Sequence, residues 1–591
     1  MFRRVLTLCC LIALISSFLL PVTTMAQAQS GKTVRPGSAL ADFPTVDPNY
    51  IYDQLFYMAT HYQRREAGYD NNLPVNVNGH DEFAQYWTQE ITKDLQGFGP
   101  QTTIDKFPVQ GWIGRPATVP AFNVEVTVPG FLHPEQVVVI GCHYDGEAIS
   151  TQSANDDASG CAIELGVAKA LGEYWHSHNL YPARTLRFVI FDAEEQGLFG
   201  SYHYLNQTIN GDINNIVAMF NEEQNGIAYP LRFLGQMSNP LLPFYILTSP
   251  LKNNFFYPNQ DRLTAQQRQN ILHFDSLLQQ AVTPVFQQFQ ALGYTSLPYY
   301  NSNNQSTSQP VFTADQQSNI QQMEDNIGGS DENPFIQAGL PSATFVGNST
   351  YYDQNPPPPK WSYPFDQPQD TIQLMNTFAS GSAQKSEALT LALAIPGMFT
   401  TWMLNQPDVL GSITPPVKMK DVPVVAISDI GQTVVNKNLS LSAQPLPSSN
   451  TSNPWAYSWN FGDGGTAKGL SVNHIYTKTG TYTLSLTASA ATGSRTVFKT
   501  INVVSKSTPF NNLFAQYPSN GVPPVNHAIT LPVPDTNPGV QAPSTTPTTK
   551  SQPDSSPGTS NTFRDLIIGL LVVALLAVIT IIGFSRRTRH V

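Results

Sequence analysis

The stretch RFVIFDAEEQGLFGS, residues 187–201, closes an apolar run at Phe191 and turns at once to Asp192, Ala193, Glu194 and Glu195. Adjacent carboxylates at the end of a buried strand repel one another and lose hydration, which is costly unless a cation sits between them. Two other apolar runs end in a similar way. VVVIGC leads into His143-Tyr144-Asp145, and IVAMFN leads into Glu222-Glu223. A further pair, Asp156-Asp157 in SANDDASG, precedes a helix predicted to begin near Gly160. Each feature alone has an ordinary explanation. A His after a strand is commonly a hydrogen-bonded surface residue, and acids at a helix start are favoured by the helix dipole. Together they bring one imidazole and several carboxylates to the carboxyl ends of successive strands, where open parallel sheets bind ligands. Nitrogen plus carboxylate donors suit Zn²⁺, and a shared carboxylate can bridge two metals.

The elements that must position these groups lie between about residues 41 and 406. Two helical segments, Tyr50 to Tyr62 and Glu82 to Leu95, come first. Four apolar runs follow, at 137–140, 188–191, 216–220 and 343–346. Amphipathic segments separate them, such as Gly160 to Tyr174, where Ile163, Val167, Leu171 and Tyr174 share a face. This alternation predicts an α/β domain with a mostly parallel mixed sheet flanked by helices. A Gln- and Asn-rich insertion at about 240–320, helical near Leu263 to Leu292, is expected over or beside the mouth of the site.

The remainder of the 591 residues divides by composition. Residues 1–28 read as a secretory signal peptide, with Arg3 and Arg4 before an apolar run and Ala26-Gln27-Ala28 as a cleavage site. Once Cys9 and Cys10 leave with it, only Cys142 and Cys161 remain, and an oxidising compartment would allow them to pair. Residues 422–504 carry the short alternating stretches of a β-sandwich, and 506–562 form a Pro/Ser/Thr-rich stalk that cannot bury a core. Residues 566–584 would make a transmembrane helix about 28 Å long, and the basic tail 585–591 would lie in the cytoplasm. The expected location is therefore the cell membrane, single-pass, with the catalytic domain extracellular. With 31 Lys+Arg against 42 Asp+Glu and no basic stripe interleaved with aromatics, nucleic acid is excluded as a partner.

Three ordered motifs carry a resemblance. His143-x-Asp145, the stretch 155–160 (NDDASG) and Glu194-Glu195-x-Gly197-Leu198-x-Gly200-Ser201 resemble the co-catalytic zinc exopeptidases of metallopeptidase family 28. The similarity extends to SDENPFIQAGLPSATF (330–345) and QDT (369–371). Likewise WNFGDGG, HIY and GTYTLSL within 459–486 resemble the polycystic-kidney-disease (PKD) repeat, an immunoglobulin-like sandwich that serves as a spacer or a weak protein or carbohydrate binder.

The peptidase resemblance implies two divalent metal ions, zinc foremost, with His143 on one, Asp156 bridging both and Glu195 on the second. It makes Glu194 the general base and Asp145 the group that holds the His143 ring. Two positions depart from the pattern. A metal-binding Asp is replaced by Glu222-Glu223, where an ungapped alignment favours Glu223. The last His ligand is replaced in DQPQDT by Asp366, a change that would move the second site toward Mn or Co. The implied activity is that of a membrane-tethered aminopeptidase acting on extracellular peptides with metal-activated water. The alternatives are another exopeptidase or glutaminyl cyclase on the same fold, or an impaired peptidase that only binds.

Overall fold

The structure is a computed structural model that describes residues 43–506 apart from internal stretches, chiefly 68–78, 111–117, much of 227–243 and 293–319, 348–365, 415–424 and 446–454. The expected signal peptide, stalk, membrane helix and basic tail lie outside the described residues.

Two helices, α1 (Pro48–His61) and α2 (His80–Asp94), precede the edge hairpin β1 (Gln101–Gln110) and β2 (Thr118–Val128). Then come β3 (His133–His143), α3 (Ala158–His178), β4 (Arg184–Phe191) and β5 (Ile216–Glu223). Continuing along the chain are β6 (Phe244–Thr248), α4 (Ala265–Ala291), β7 (Ile320–Glu324), β8 (Ser342–Val346) and α5 (Glu387–Leu404). The sheet order is β1-β2-β4-β3-β5-β8-β6-β7. Its centre, β4-β3-β5-β8, is parallel, whereas the β1-β2, β2-β4 and β8-β6 pairings are antiparallel. The four apolar runs thus occupy the parallel centre of a mixed sheet, as expected, while the strands of its antiparallel edges, β1, β2 and β6, were not assigned from the sequence.

Alternation along the strands sorts side chains to two cores. Ile140, Cys142, Phe188, Ile190 and Phe220 face α1–α5 in the larger core, while Val139, Val189, Phe191 and Met219 face Leu198, Tyr202 and Phe335. Among the described residues, α5 is the helix long and apolar enough to cross a membrane, and it is almost entirely buried in the larger core. The described part of the insertion packs into the core rather than over the mouth. Helix α4 turns Ile271, Phe274, Leu278, Ala281, Val285 and Phe289 inward against α5, and β6 pairs within the main sheet. Gln266, Gln269, Gln279 and Gln280 occupy the exposed face of this amphipathic helix, whereas Gln267 and Gln288 are buried with the apolar residues, so helix α4 is core rather than lid.

The sandwich has a three-stranded sheet and a five-stranded sheet around Trp459, Phe461, Tyr476, Leu484 and Ile501. It docks at the amino ends of the central strands. Arg495 Nη1 donates to Phe131 O (2.6 Å), and Phe498, Lys499 and Thr500 face Gln136, Arg184 and Ile216 across a cleft of about 430 Å³.

Candidate metal centre

Register brings the functional groups together. His143 of β3 pairs with Phe191 of β4, and Gly141 pairs with Asn221 of β5. The residues just beyond these pairs therefore emerge at one rim. The two-residue period of β5 separates its two glutamates. Glu222 points into the larger core, where Thr400 Oγ1 donates to its Oε1 (2.6 Å), and burial lifts its pKa to about 8. Glu223 points to the face of His143, 3.7 Å from its Nε2.

The turn that carries Asp156 and Asp157 is held from three sides. Asp370 accepts from the main-chain N–H of Asn155 (2.9 Å) and of Asp156 (3.1 Å). Asp157 caps α3, its Oδ1 accepting from Gly160 N (2.9 Å) and Gln224 N (3.1 Å). A Cβ on Gly160 would lie 2.1 Å from Glu222 O, so only glycine lets the helix start this close to β5. Cys142 and Cys161, whose pairing the sequence left open, form a disulfide that ties β3 to α3.

The Glu194-Glu195 turn is fixed by Asp145, which accepts from Glu194 N (3.1 Å) and Glu195 N (3.3 Å). The same carboxylate stands 3.6 Å from His143 Nδ1, leaving Nε2 to face Asp156 Oδ1 at 2.9 Å. Gly197 at φ 116° and Leu198 at φ 60° then turn the chain sharply away from the rim.

One ligand atom each from His143, Asp156 and Glu195 lie within 4.8 Å of one another, as do those of His143, Asp157 and Glu223. Asp157 is therefore an additional candidate beside the predicted Asp156. Asp366 joins neither trio but stands against Asp156. Burial raises the pKa of Glu194 well above the ordinary carboxylate range; His143 opposes this, while Glu223, Asp331 and Asp156 add to it. Burial does the same to Glu195, reinforced by Asp366, Asp156 and Glu147. For His143 burial acts downward, but Glu194 and Glu223 outweigh it and hold the ring well above its usual pKa. These carboxylates repel one another, and a bound cation would remove the conflict. The donors fit one: Asp157 Oδ2 and Asp366 Oδ1 are both buried and accept no hydrogen bond.

Several contributors were missed in the sequence. Arg65 is fully buried and donates to the carbonyls of Tyr62, Tyr144, Gln152 and Ser153, its charge reaching Asp370, Asp145, Asp157 and Asp156. Asp331 faces the same cluster, and burial, resisted by His143 and Ser201, carries it up to about 7. His80 reaches Asp192 behind the turn at 3.0 Å. Asp370 and Asp331 lie in the quoted QDT and SDENPF stretches, so inspecting each acid there would have raised them. Arg65 had no such signal.

Residues 123–242 match the family model described as Peptidase family M28, and residues 422–504 match the PKD domain. Human Carboxypeptidase Q is 39% identical over 87 residues, which cover 14% of this chain and 17% of that protein. Vacuolar protein sorting-associated protein 70 of Saccharomyces cerevisiae is 33% identical over 113 residues, 19% of this chain and 13% of that protein. A protein named "Probable zinc metalloprotease" from Pyrenophora tritici-repentis is 36% identical over 121 residues, 19% of this chain and 24% of that protein. The chain thus spans only about a quarter or less of each of these relatives. Among solved structures, the Bacillus subtilis zinc aminopeptidase BSAP matches 64% of this chain and 98% of its own at 12% identity and a TM-score of 0.39. An Acidobacteriales bacterium glutaminyl cyclase matches 63% of this chain and 98% of its own at 15% identity and a TM-score of 0.38. The chain carries a peptidase family M28 segment followed by a PKD domain, in the order its motifs predict.

Proposed function

We propose that this chain is a metal-dependent exopeptidase that removes amino-terminal residues from peptides. The observation that carries the reading is the convergence of His143, Asp156, Glu194, Glu195 and Glu223 on one rim. His143, Asp156 and Glu223 would hold one divalent ion, with Asp157 at hand; Asp156, Glu195 and Asp366 would hold a second. Such ions supply Lewis acidity, which polarises a scissile carbonyl and makes water more acidic. Glu194 takes a proton from the attacking water and returns it to the leaving amine. Asp145 holds the Glu194-Glu195 turn through two main-chain hydrogen bonds and faces His143 Nδ1 at 3.6 Å, so its charge favours the ring orientation that turns Nε2 toward the ligands.

The charge of the rim favours the amino end of a substrate. An excess of carboxylates attracts an ammonium group and repels a terminal carboxylate. Arg65, which could otherwise neutralise a substrate carboxylate, directs its N–H groups to main-chain carbonyls. The test is a panel of aminoacyl anilides, amino-blocked peptides and free peptides, with and without chelator. Expected is chelator-sensitive release from free amino termini only. Trimming of amino-blocked peptides from their carboxyl end would overturn the aminopeptidase reading in favour of a carboxypeptidase.

Display on the cell surface belongs to the same proposal and is supported by the apolar and basic segments at the chain's two ends. Protease added to intact cells should release the ectodomain by cutting within 506–562. An ectodomain protected until lysis would reverse the orientation.

A further inference from the structure

The cleft of about 430 Å³ beside the sandwich lies at the amino ends of the central strands, at the opposite end of the sheet from the acidic rim. Its volume falls within the about 300–1,000 Å³ of small-molecule sites, which favour domain interfaces. Two groups in its lining lack the acceptor they need. Asn215, immediately before β5, has a buried Nδ2 that donates no hydrogen bond. A buried donor left unmet costs stability unless something from outside the chain accepts from it. Arg184, the first residue of β4, is held by Gln136 Oε1, which accepts from its Nε (2.6 Å), and by Pro407 O, which accepts from Nη1. Burial lowers its pKa, and Asp408 and Glu135, which act from farther away, only partly offset this. Lys499 of the sandwich, whose Nζ donates to Ser428 O at 3.3 Å, adds a second positive charge to the lining. A carboxylate would satisfy both the desolvated guanidinium and the idle amide.

The same lining carries acids whose ion-pair partners are imidazoles. Glu135 Oε1 stands 3.5 Å from His133 Nδ1, and Asp408 Oδ2 faces His273 Nε2 at 3.1 Å. An imidazole offers a full positive charge only when protonated, so both acids keep an attraction for an ammonium group. Phe274 and Leu277 of α4, with Phe498 half-exposed on the sandwich, add apolar surface.

We propose that this cleft is a second binding site, one that takes a free α-amino acid, with its carboxylate on Arg184 and Asn215, its ammonium toward Glu135 and Asp408, and its side chain against the apolar surface. A lone anion would be repelled by the two acids, and a simple cation would leave Arg184 and Asn215 unmet. A zwitterion meets both needs. The binding chemistry is independent of the metal centre; only the source of the ligand, release by hydrolysis, rests on the peptidase reading. Because Phe498 belongs to the sandwich and Arg184 to the α/β domain, an occupied cleft also fastens the two modules to each other.

The test is isothermal titration calorimetry on the metal-loaded full chain with leucine, N-acetylleucine and leucinamide. One leucine should bind per chain, and each blocked analogue, lacking one charge, should bind about tenfold or more weakly. Asn215→Ala and Glu135→Gln should each weaken leucine about tenfold, while the unfolding midpoint and hydrolysis of an aminoacyl anilide stay near wild type. Leucine binding should also survive removal of metal by chelator. Blocked analogues that bind as tightly as leucine would overturn the proposal. So would an absence of leucine binding, or binding that neither variant changes. Leucine binding that vanishes with the metal would place the ligand at the rim and overturn it too. Leucine bound as expected by a chain that hydrolyses no peptide would overturn the peptidase reading alone.

Discussion

Asp463 in the sandwich and Glu195 in the α/β domain are both acids in tight turns, yet their surroundings treat them in opposite ways. Asp463 Oδ1 accepts from Gly465 N (2.9 Å), and Oδ2 faces His474 Nε2 (2.8 Å), whose ring stacks on Phe461. Burial pushes its pKa up, but these partners outweigh burial and hold it below the ordinary carboxylate value. Glu195 is surrounded by Asp366, Asp156, Glu147 and Glu194, and every one of them pushes its pKa in the same direction as burial. An acid satisfied by its own protein serves the fold. Acids left in mutual conflict point to a ligand from outside. The His80–Asp192 pair lies on the structural side of this divide, although it adjoins the Glu194 turn.

The contrast breaks most visibly at Glu194. Glu194→Gln should lower kcat by about 10²–10⁴-fold while metal content stays near wild type. Loss of metal in step with activity would show that Glu194 and Glu195 have exchanged roles. Next in size is His80→Gln, which leaves buried Asp192 without its cation and should cost about 3–5 kcal/mol in chemical denaturation. Burial lowers the pKa of His80, but Asp192 and Asp81 raise it overall to about 10 in the folded state, against about 6.5 unfolded. The folded protein therefore binds the extra proton between those values. The pair's contribution is complete below about pH 6.5 and is lost as pH rises through about 10. A stability difference between wild type and His80→Gln that grew with pH over that window would contradict the assignment.

Zinc should act on the α/β domain with a somewhat smaller effect. At a hundredfold excess over Kd it should stabilise by about 2.7 kcal/mol, read as a higher unfolding midpoint of that domain. The sandwich midpoint should not move. Smallest of all, Asp463→Asn should cost the sandwich about 1 kcal/mol and leave metal content and hydrolysis unchanged. A change in zinc affinity there would mean that the two regions are not independent.

The parallel centre of the sheet was readable because a continuous apolar run followed by acids is a local pattern. His143, Asp145, Asp156, Glu194 and Glu195 could be named for the same reason, since short spacing carries them. What escaped is what the fold brings from far along the chain. Asp370 meets Asn155 across 215 positions, and Arg65 meets Ser153 across 88. No periodicity records such pairings. The choice between Glu222 and Glu223 depends on which face of β5 each occupies, and that requires knowing which side Thr400 covers. Helix α4 of the insertion was read as a cap because composition averages over a helix, whereas burial depends on one face of it. Gln266 and Gln280 of α4 reach only local partners, while Phe274 and Leu278 lie in the core.

The docking of the sandwich at the amino ends of β3, β4 and β5 fixes a direction as well as a contact. The chain leaves the described residues from a module fastened to the floor of the sheet, while the carboxylates line its ceiling. Whatever follows Lys506 is therefore joined to the molecule through the module at the floor, so that module, and not the rim, carries the covalent link to the rest of the chain.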